Sequence, residues 1–178
     1  QDKRFVDIIN NDLANTIGNL LNRTSSMSRK WFDNKVPNNE KFLSENKLEK
    51  YVKIAVEKYI QNFDIYKIDL AANEVLTLAI NTNLYLNEKQ PWTLIKEKKN
   101  LLLVQEIIYN VLESTRIIGL LLLPLLPDLS TKINEQLGSI YRDEIPWKQQ
   151  LSWGLLVGNS SLPKPTPIIN KLEYEQHL

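Results

Sequence analysis

The sequence contains no cysteine and a single histidine, His177, close to its end. The first absence excludes disulfides and thiolate metal sites, and the second leaves a histidine-based triad or zinc site without partners. Glycine is scarce as well: five scattered residues in 178, so no Gly-rich phosphate loop can be assembled. Neither charge is in excess. With 22 basic and 21 acidic residues the net charge is +1, which removes the broad footprint of a general polyanion binder. Any contact with a polyanion must be local and made by few side chains. The longest apolar run, Ile117 to Pro127, is too short to span a bilayer and includes Pro124 and Pro127. Gln1–Asp2–Lys3–Arg4 leads directly into an amphipathic pattern, so no secretory leader is visible. A cytoplasmic protein with no membrane partner is expected.

What the sequence does hold is a globular composition, 43% hydrophobic and 24% charged, in a chain long enough to bury one core. Phe5, Ile8, Ile9, Leu13, Ile17, Leu20 and Leu21 recur at helical spacing. The opposite stripe is Asp12, Asn15, Thr16, Asn19, Asn22, Arg23 and Ser26. Asn and Thr compete for backbone groups and weaken a helix interior, so this stripe does nothing for folding. Coding bias could account for it, since the chain has 19 asparagines. The first helix is expected to fray near Ser25–Ser26, with a loop at Val36–Pro37–Asn38–Asn39.

A second helix is predicted from Ser44 to Ile60, burying Leu48, Val52, Ala55, Val56 and Tyr59. A third covers Lys67 to Lys89, with Leu70, Val75, Leu76, Ala79, Ile80 and Leu84 as its apolar residues, and Pro91 stops it. Trp92 to Lys96 suits a short helical turn. The fourth long helix, Asn100 to Leu122, is apolar over most of its circumference and should be central. Asp128 to Leu137 forms a fifth, ended by Gly138. From Ile145 the periodicity dissolves into an extended tail with several apolar anchors. The fold class is all-α: a bundle of about five helices over 1–143, with a tail, 144–178, packing back on it or toward another domain.

Asn19 and Arg23 lie one helical turn apart and share a patch. An amide offers donor and acceptor together and a guanidinium a fork of donors, a combination able to read the edge of an unstacked base. The bland alternative is an Asn–Arg pair on a solvated helix face, or one bonding a neighbouring helix. Trp92, just after a helix-ending proline, sits at a corner where it can stack on a base or cap the core. Asn83 and Asn87 share a face of the third helix leading to it, and could orient a base or bond the adjoining loop. Arg29, Lys30 and Lys96 could contact phosphates, which demand little geometry. Asn15 and Asn22 are expected to be scaffold, bonding neighbouring helices. Ser26–Met27–Ser28–Arg29–Lys30 superficially resembles the mobile ATP loop of class I aminoacyl-tRNA synthetases, but it lacks the leading lysine and follows a helix directly. The acidic pair Asp143–Glu144 reads as solvated, and no nucleophile–base pair is present.

In combination these segments are more specific. Asp12–Leu13–Ala14–Asn15 followed by Gly18–Asn19–Leu20–Leu21–Asn22–Arg23 resembles the start of the anticodon-binding domain of methionyl-tRNA synthetases. Asn83–Leu84–Tyr85–Leu86–Asn87 with Pro91–Trp92 is similar to that family's second signature. Leu123–Pro124–Leu125–Leu126–Pro127, Leu137–Gly138, Trp147…Gly154 and Pro165–Thr166–Pro167 also match, in a style most like a cyanobacterial member. The resemblance implies recognition of a CAU anticodon, with Trp92 stacking on the first base and Asn19 and Arg23 contacting it. Asn87 stands where family members often carry an acid. The partners implied are methionine tRNA and a catalytic domain of the same chain; no cofactor is expected in this part, ATP and methionine belonging to the catalytic domain. The alternatives are the anticodon domain of another class I synthetase, or a helical protein-interaction module docking through Trp147, Trp153 and Ile168.

Overall fold

The computed structural model describes residues 3–42, 46–166 and 168. Six α-helices follow in order: α1 Lys3–Phe32, α2 Lys47–Asp64, α3 Ile68–Lys89, the one-turn α4 Pro91–Leu94, α5 Leu101–Leu122 and α6 Pro127–Gln136. Short 3-10 turns occupy Lys98–Asn100 and Trp147–Leu151. The long helices form a bundle around α5, which packs against α1, α2, α3 and α6.

α1 follows its periodicity closely. Ile9, Leu13, Ile17, Leu20 and Leu21 are buried, while Asp12, Asn15, Asn19, Asn22 and Ser26 are exposed. It does not fray at Ser25–Ser26 but runs on to Phe32. The hydroxyls that argued for fraying instead donate back along the helix: Thr24 to the Leu20 carbonyl and Ser26 to that of Asn22, each at 2.7 Å. Ser28 is fully buried within this helix, so the stretch Ser26–Lys30 is not a loop.

The expected start of α2 at Ser44 lies outside the described residues. Asn46 is the N-cap, its side chain accepting from the Glu49 N–H at 2.8 Å, and the helix continues past Ile60 to Asp64. In α3 the buried face differs from the predicted one. Ala71, Val75, Leu78, Ala79, Thr82, Tyr85 and Leu86 point inward, whereas Leu70, Ile80 and Leu84 are about half exposed. Val75 and Ala79 are buried as expected, but because α3 carries apolar residues on both sides, periodicity alone mixes the two, and α2 and α5 decide which face is covered. Pro127 does not merely break a helix; it opens α6 at the first position, where a missing N–H is harmless.

α5 explains much of the rest. A helix leaves its last four carbonyls without internal donors. Here Ser130 Oγ donates to Gly119 O at 2.6 Å, Trp147 Nε1 to Leu120 O at 2.7 Å and Tyr59 Oη to Leu121 O at 2.7 Å. Three separate segments therefore meet at the C-terminal end of α5. Its middle holds two buried charged residues, Glu113 and Arg116, which pair with each other. Arg116 also donates to the carbonyls of Gln150 (2.6 Å) and Ser152 (2.8 Å), and Glu113 accepts from the N–H groups of Gly154 and Leu156.

The tail is thus tied to the bundle by backbone and by side chains. Leu151, Leu156, Leu162 and Ile168 are buried, and Trp147 and Trp153 pack half-buried on the core. Asn34, Val36, Asn159, Ser160 and Leu162 exchange three backbone bonds around an isolated bridge between Lys35 and Ser161. Of the anchors that could dock a protein partner, Ile168 is buried, and Trp147 and Trp153 are half-covered by the core. Of the stretch 167–171, only Ile168 is among the described residues.

Candidate nucleic-acid interface

A surface cluster forms where α1, α3 and α4 converge. α1 presents Arg23 with Asn19 one turn before it; α3 presents Asn83 and Asn87 one turn apart; α4 presents Trp92. The turn into α4 depends on Gln90, whose backbone is left-handed (φ 49°, ψ 60°). It ends α3 with its N–H on the Leu86 carbonyl at 3.2 Å and redirects the chain so that buried Pro91 opens α4. A proline disfavours the right-handed helical region in the residue before it, which is why α3 cannot simply continue.

Arg23 is the hub. Its Nη1 donates to Asn83 Oδ1 at 3.3 Å, its Nη2 donates to Asn87 Oδ1 at 2.9 Å, and its Cζ lies 5.3 Å from the centre of the Trp92 ring. The last contact is a cation–π arrangement worth about 0.5–1 kcal/mol at an exposed site. A guanidinium can only donate, so the atoms of both amides that face it must be oxygens. Each Nδ2 is thereby turned elsewhere, with no partner among the described residues. Asn87 is exposed, Asn83 half-buried, and Trp92 is 38% exposed. The surface consequently offers a concentration of donors, one positive charge and an accessible indole.

Beneath it lies a small apolar layer of Leu20, Leu48, Tyr85, Leu86, Ile107 and Val111, against which Met27, Leu94 and Trp153 pack. Tyr85 accepts from Asn110 Nδ2 at 3.0 Å, and burial pushes its phenol up to about 12, so it stays neutral under the charged surface.

The other candidates are placed less closely. Asn19 is exposed, its side chain without a partner among the described residues. Lys30, seven residues beyond Arg23, lies on the same face of α1 about 10 Å along the axis. Arg29 faces another way and donates to Asn34 Oδ1 at 3.3 Å. Lys96 is exposed after α4, and no described contact joins it to the cluster. Asn15 and Asn22 do not bond neighbouring helices: both are exposed with unpartnered side chains among the described residues. Asp143 and Glu144 are exposed; Glu144 accepts from Arg142 Nε at 2.6 Å.

Sequence reasoning gave Asn83 no firm place, although it completes the fork; its spacing of four from Asn87 was the available signal. No group of three or more acidic, His or Cys residues able to hold a metal occurs among the described residues. No helix among them is long and apolar enough to cross a membrane. A groove of about 530 Å³ between residues 139–145 and 155–160 has Arg116 in its wall, but that guanidinium is already occupied by Glu113 and two carbonyls.

Comparison with known proteins points the same way. Residues 36–177 match the family model described as the anticodon binding domain of methionyl tRNA ligase. A methionine–tRNA ligase of Nostoc sp. is 33% identical over 98% of this chain, which covers 34% of that protein. The ligase of Thermosynechococcus vestitus is 36% identical over 96% of this chain, again covering 34% of its own length. The crystal structure of apo methionyl-tRNA synthetase from Mycobacterium tuberculosis superposes with a TM-score of 0.76 at 28% identity, covering 94% of this chain and 34% of that one. This chain therefore spans about a third of the length of the relatives it matches.

Proposed function

This chain belongs to the family of anticodon-binding domains of methionyl-tRNA ligases, and from that premise we propose that the surface around Arg23 reads the first base of a CAU anticodon. The observation that supports this is the convergence of Arg23, Asn83, Asn87 and Trp92 from three helices, with Asn19 unpartnered beside them. Cytosine presents two adjacent acceptors, O2 and N3, and one amino donor. The N–H groups of Arg23 that the two amides leave free and the redirected Nδ2 groups answer the acceptors, and the free Oδ1 of Asn19 answers the donor. Uracil places an N–H where cytosine has N3, so a donor would meet a donor. Trp92 supplies stacking surface, worth on the order of 1–3 kcal/mol per base. Of the candidate phosphate contacts, which set register without reading sequence, Lys30 shares the α1 face with Arg23, while Arg29 is turned toward Asn34 and Lys96 stands apart from the cluster.

On this reading the partner is methionine tRNA, in the cytoplasm. The methionine, the ATP and the ligation chemistry belong to the two thirds of the relatives that this chain does not span. The test is binding of hairpin RNAs that differ only in the first anticodon base. Cytosine should be preferred to uracil by roughly ten- to a hundred-fold, the scale of one good base-edge contact. Trp92→Ala should weaken the cytosine hairpin by about 1–3 kcal/mol. Equal affinity for the two hairpins would sink the reading.

A further inference from the structure

We infer that the buried Glu113–Arg116 pair is a positioning device for the base-reading surface, acting through Trp153. An ion pair inside a helical core adds little stability over apolar residues of the same size. Its use here is directional. The backbone from Gln150 to Leu156 forms one 3-10 turn and then no regular structure, so its polar groups need partners from elsewhere. The two α5 side chains satisfy four of them. The bonds fall on either side of Trp153: Arg116 holds the Ser152 carbonyl and Glu113 holds the Gly154 N–H. Gly154 takes a φ of +94°, a conformation that L side chains rarely adopt, so the chain reverses at that point.

Trp153 is thereby held half-buried against the apolar layer under the surface, where it also touches the main core. Each helix that carries a reading residue contributes a neighbour to that layer. Leu20 adjoins Asn19 on α1, Leu86 adjoins Asn87 on α3, and Leu94 lies two residues after Trp92 on α4. The tail thus sets the spacing of the three helices from behind, without touching RNA. Its consequence for specificity rests on the function proposed above, whereas its consequence for the geometry of the cluster does not.

The test uses two variants of the whole chain. Trp153→Leu shortens the strut, and Glu113→Gln with Arg116→Met removes both charges at similar volume and so should fold. The first readout is nuclear magnetic resonance of the Trp92 indole N–H and of the Asn83 and Asn87 side-chain amides, well below the melting temperature. Those signals should move in both variants while helicity is kept. A general loss of stability would not move them, and an osmolyte that restores the melting temperature should not restore them. The second readout is hairpin binding: preference for cytosine over uracil should fall roughly ten-fold, the scale of one displaced hydrogen bond to a charged group. Unmoved signals in a folded variant would overturn the inference whatever the RNA result. Moved signals, together with no base preference in the unsubstituted chain, would leave the positioning role standing and overturn the proposed function instead.

Discussion

Replacing Arg116 by methionine removes the cation from the centre of α5 and leaves most of its volume. The fully buried Glu113 carboxylate would keep the N–H groups of Gly154 and Leu156 but lose its counter-charge. The carbonyls of Gln150 and Ser152 would lose their donor at the same time. Stranding one member of a buried pair costs about 3–5 kcal/mol. Each buried carbonyl left bare would cost a further ~1–3 kcal/mol if the tail stayed in place. These losses overlap, because a loosened tail lets water reach all of them, so about 3–5 kcal/mol at neutral pH is the expected total.

The pH dependence has a definite sign. Burial raises the Glu113 carboxyl above its ordinary range, against the opposing pull of Arg116 and of the Leu156 and Gly154 N–H groups. The native state then holds its proton more tightly than the unfolded state, whose carboxyl titrates near about 4.3. Between that value and the raised one, stability falls as pH rises. Without Arg116 the native value climbs further and the window widens upward. The deficit of the variant should therefore be smallest near pH 4 and grow toward neutrality. Urea unfolding across that range measures it. Glu113→Gln added to Arg116→Met should bring stability back toward the parent, since no charge is then stranded. A deficit below about 1 kcal/mol at neutral pH, the size of an exposed pair, or one that shrinks as pH rises, would refute this account.

Two further substitutions bear on other parts of the molecule. Asn87→Asp places a carboxylate where an amide oxygen now accepts from Arg23 at 2.9 Å; it should add about 0.2–1 kcal/mol to stability as an exposed pair, measured by urea unfolding at low salt, and a lowered midpoint would refute the Arg23–Asn87 contact. Gly119→Ala puts a Cβ 2.1 Å from Tyr141 Oη and 2.9 Å from Ile133 Cγ2. The overpacking should cost about 1–3 kcal/mol by calorimetry, and adding Tyr141→Phe should recover part of it; a melting temperature equal to the parent's would refute the close packing of α5 on α6.

Between Ile9 and Leu21 the α1 pattern was legible because its two faces differ sharply, one apolar and one rich in amides; Phe5 and Ile8 lie outside the described side chains. The buried side of α3 was not, since Leu70, Ile80 and Leu84 look as apolar as Val75 and Leu78, and only the neighbours α2 and α5 distinguish them. The end of α1 was misread because Ser and Thr hydroxyls serve a loop or the carbonyl four residues back equally well. Of the Arg23 cluster, the exposure of Asn19 one turn before Arg23 and the placement of Trp92 at a corner came from spacing and from Pro91. That Arg23 reaches across to Asn83 and Asn87 did not, being a contact between residues some sixty positions apart. The Glu113–Arg116 pair was hidden for a different reason. Two charges in a long apolar helix read as its solvent edge until the tail is seen to cover them.

The tie between residues 34–36 and 159–162 joins points separated by roughly 125 residues of chain, a loop whose closure is slow to find and entropically costly. The helices between them are local and can form as soon as they are made. The tie, the Glu113–Arg116 bonds and the Trp153 contact must wait until residues 150–162 have been made. During synthesis this part of the protein would pass through a stage with its helices assembled and the Arg23 cluster still unset, and docking of residues 150–162 would mature it.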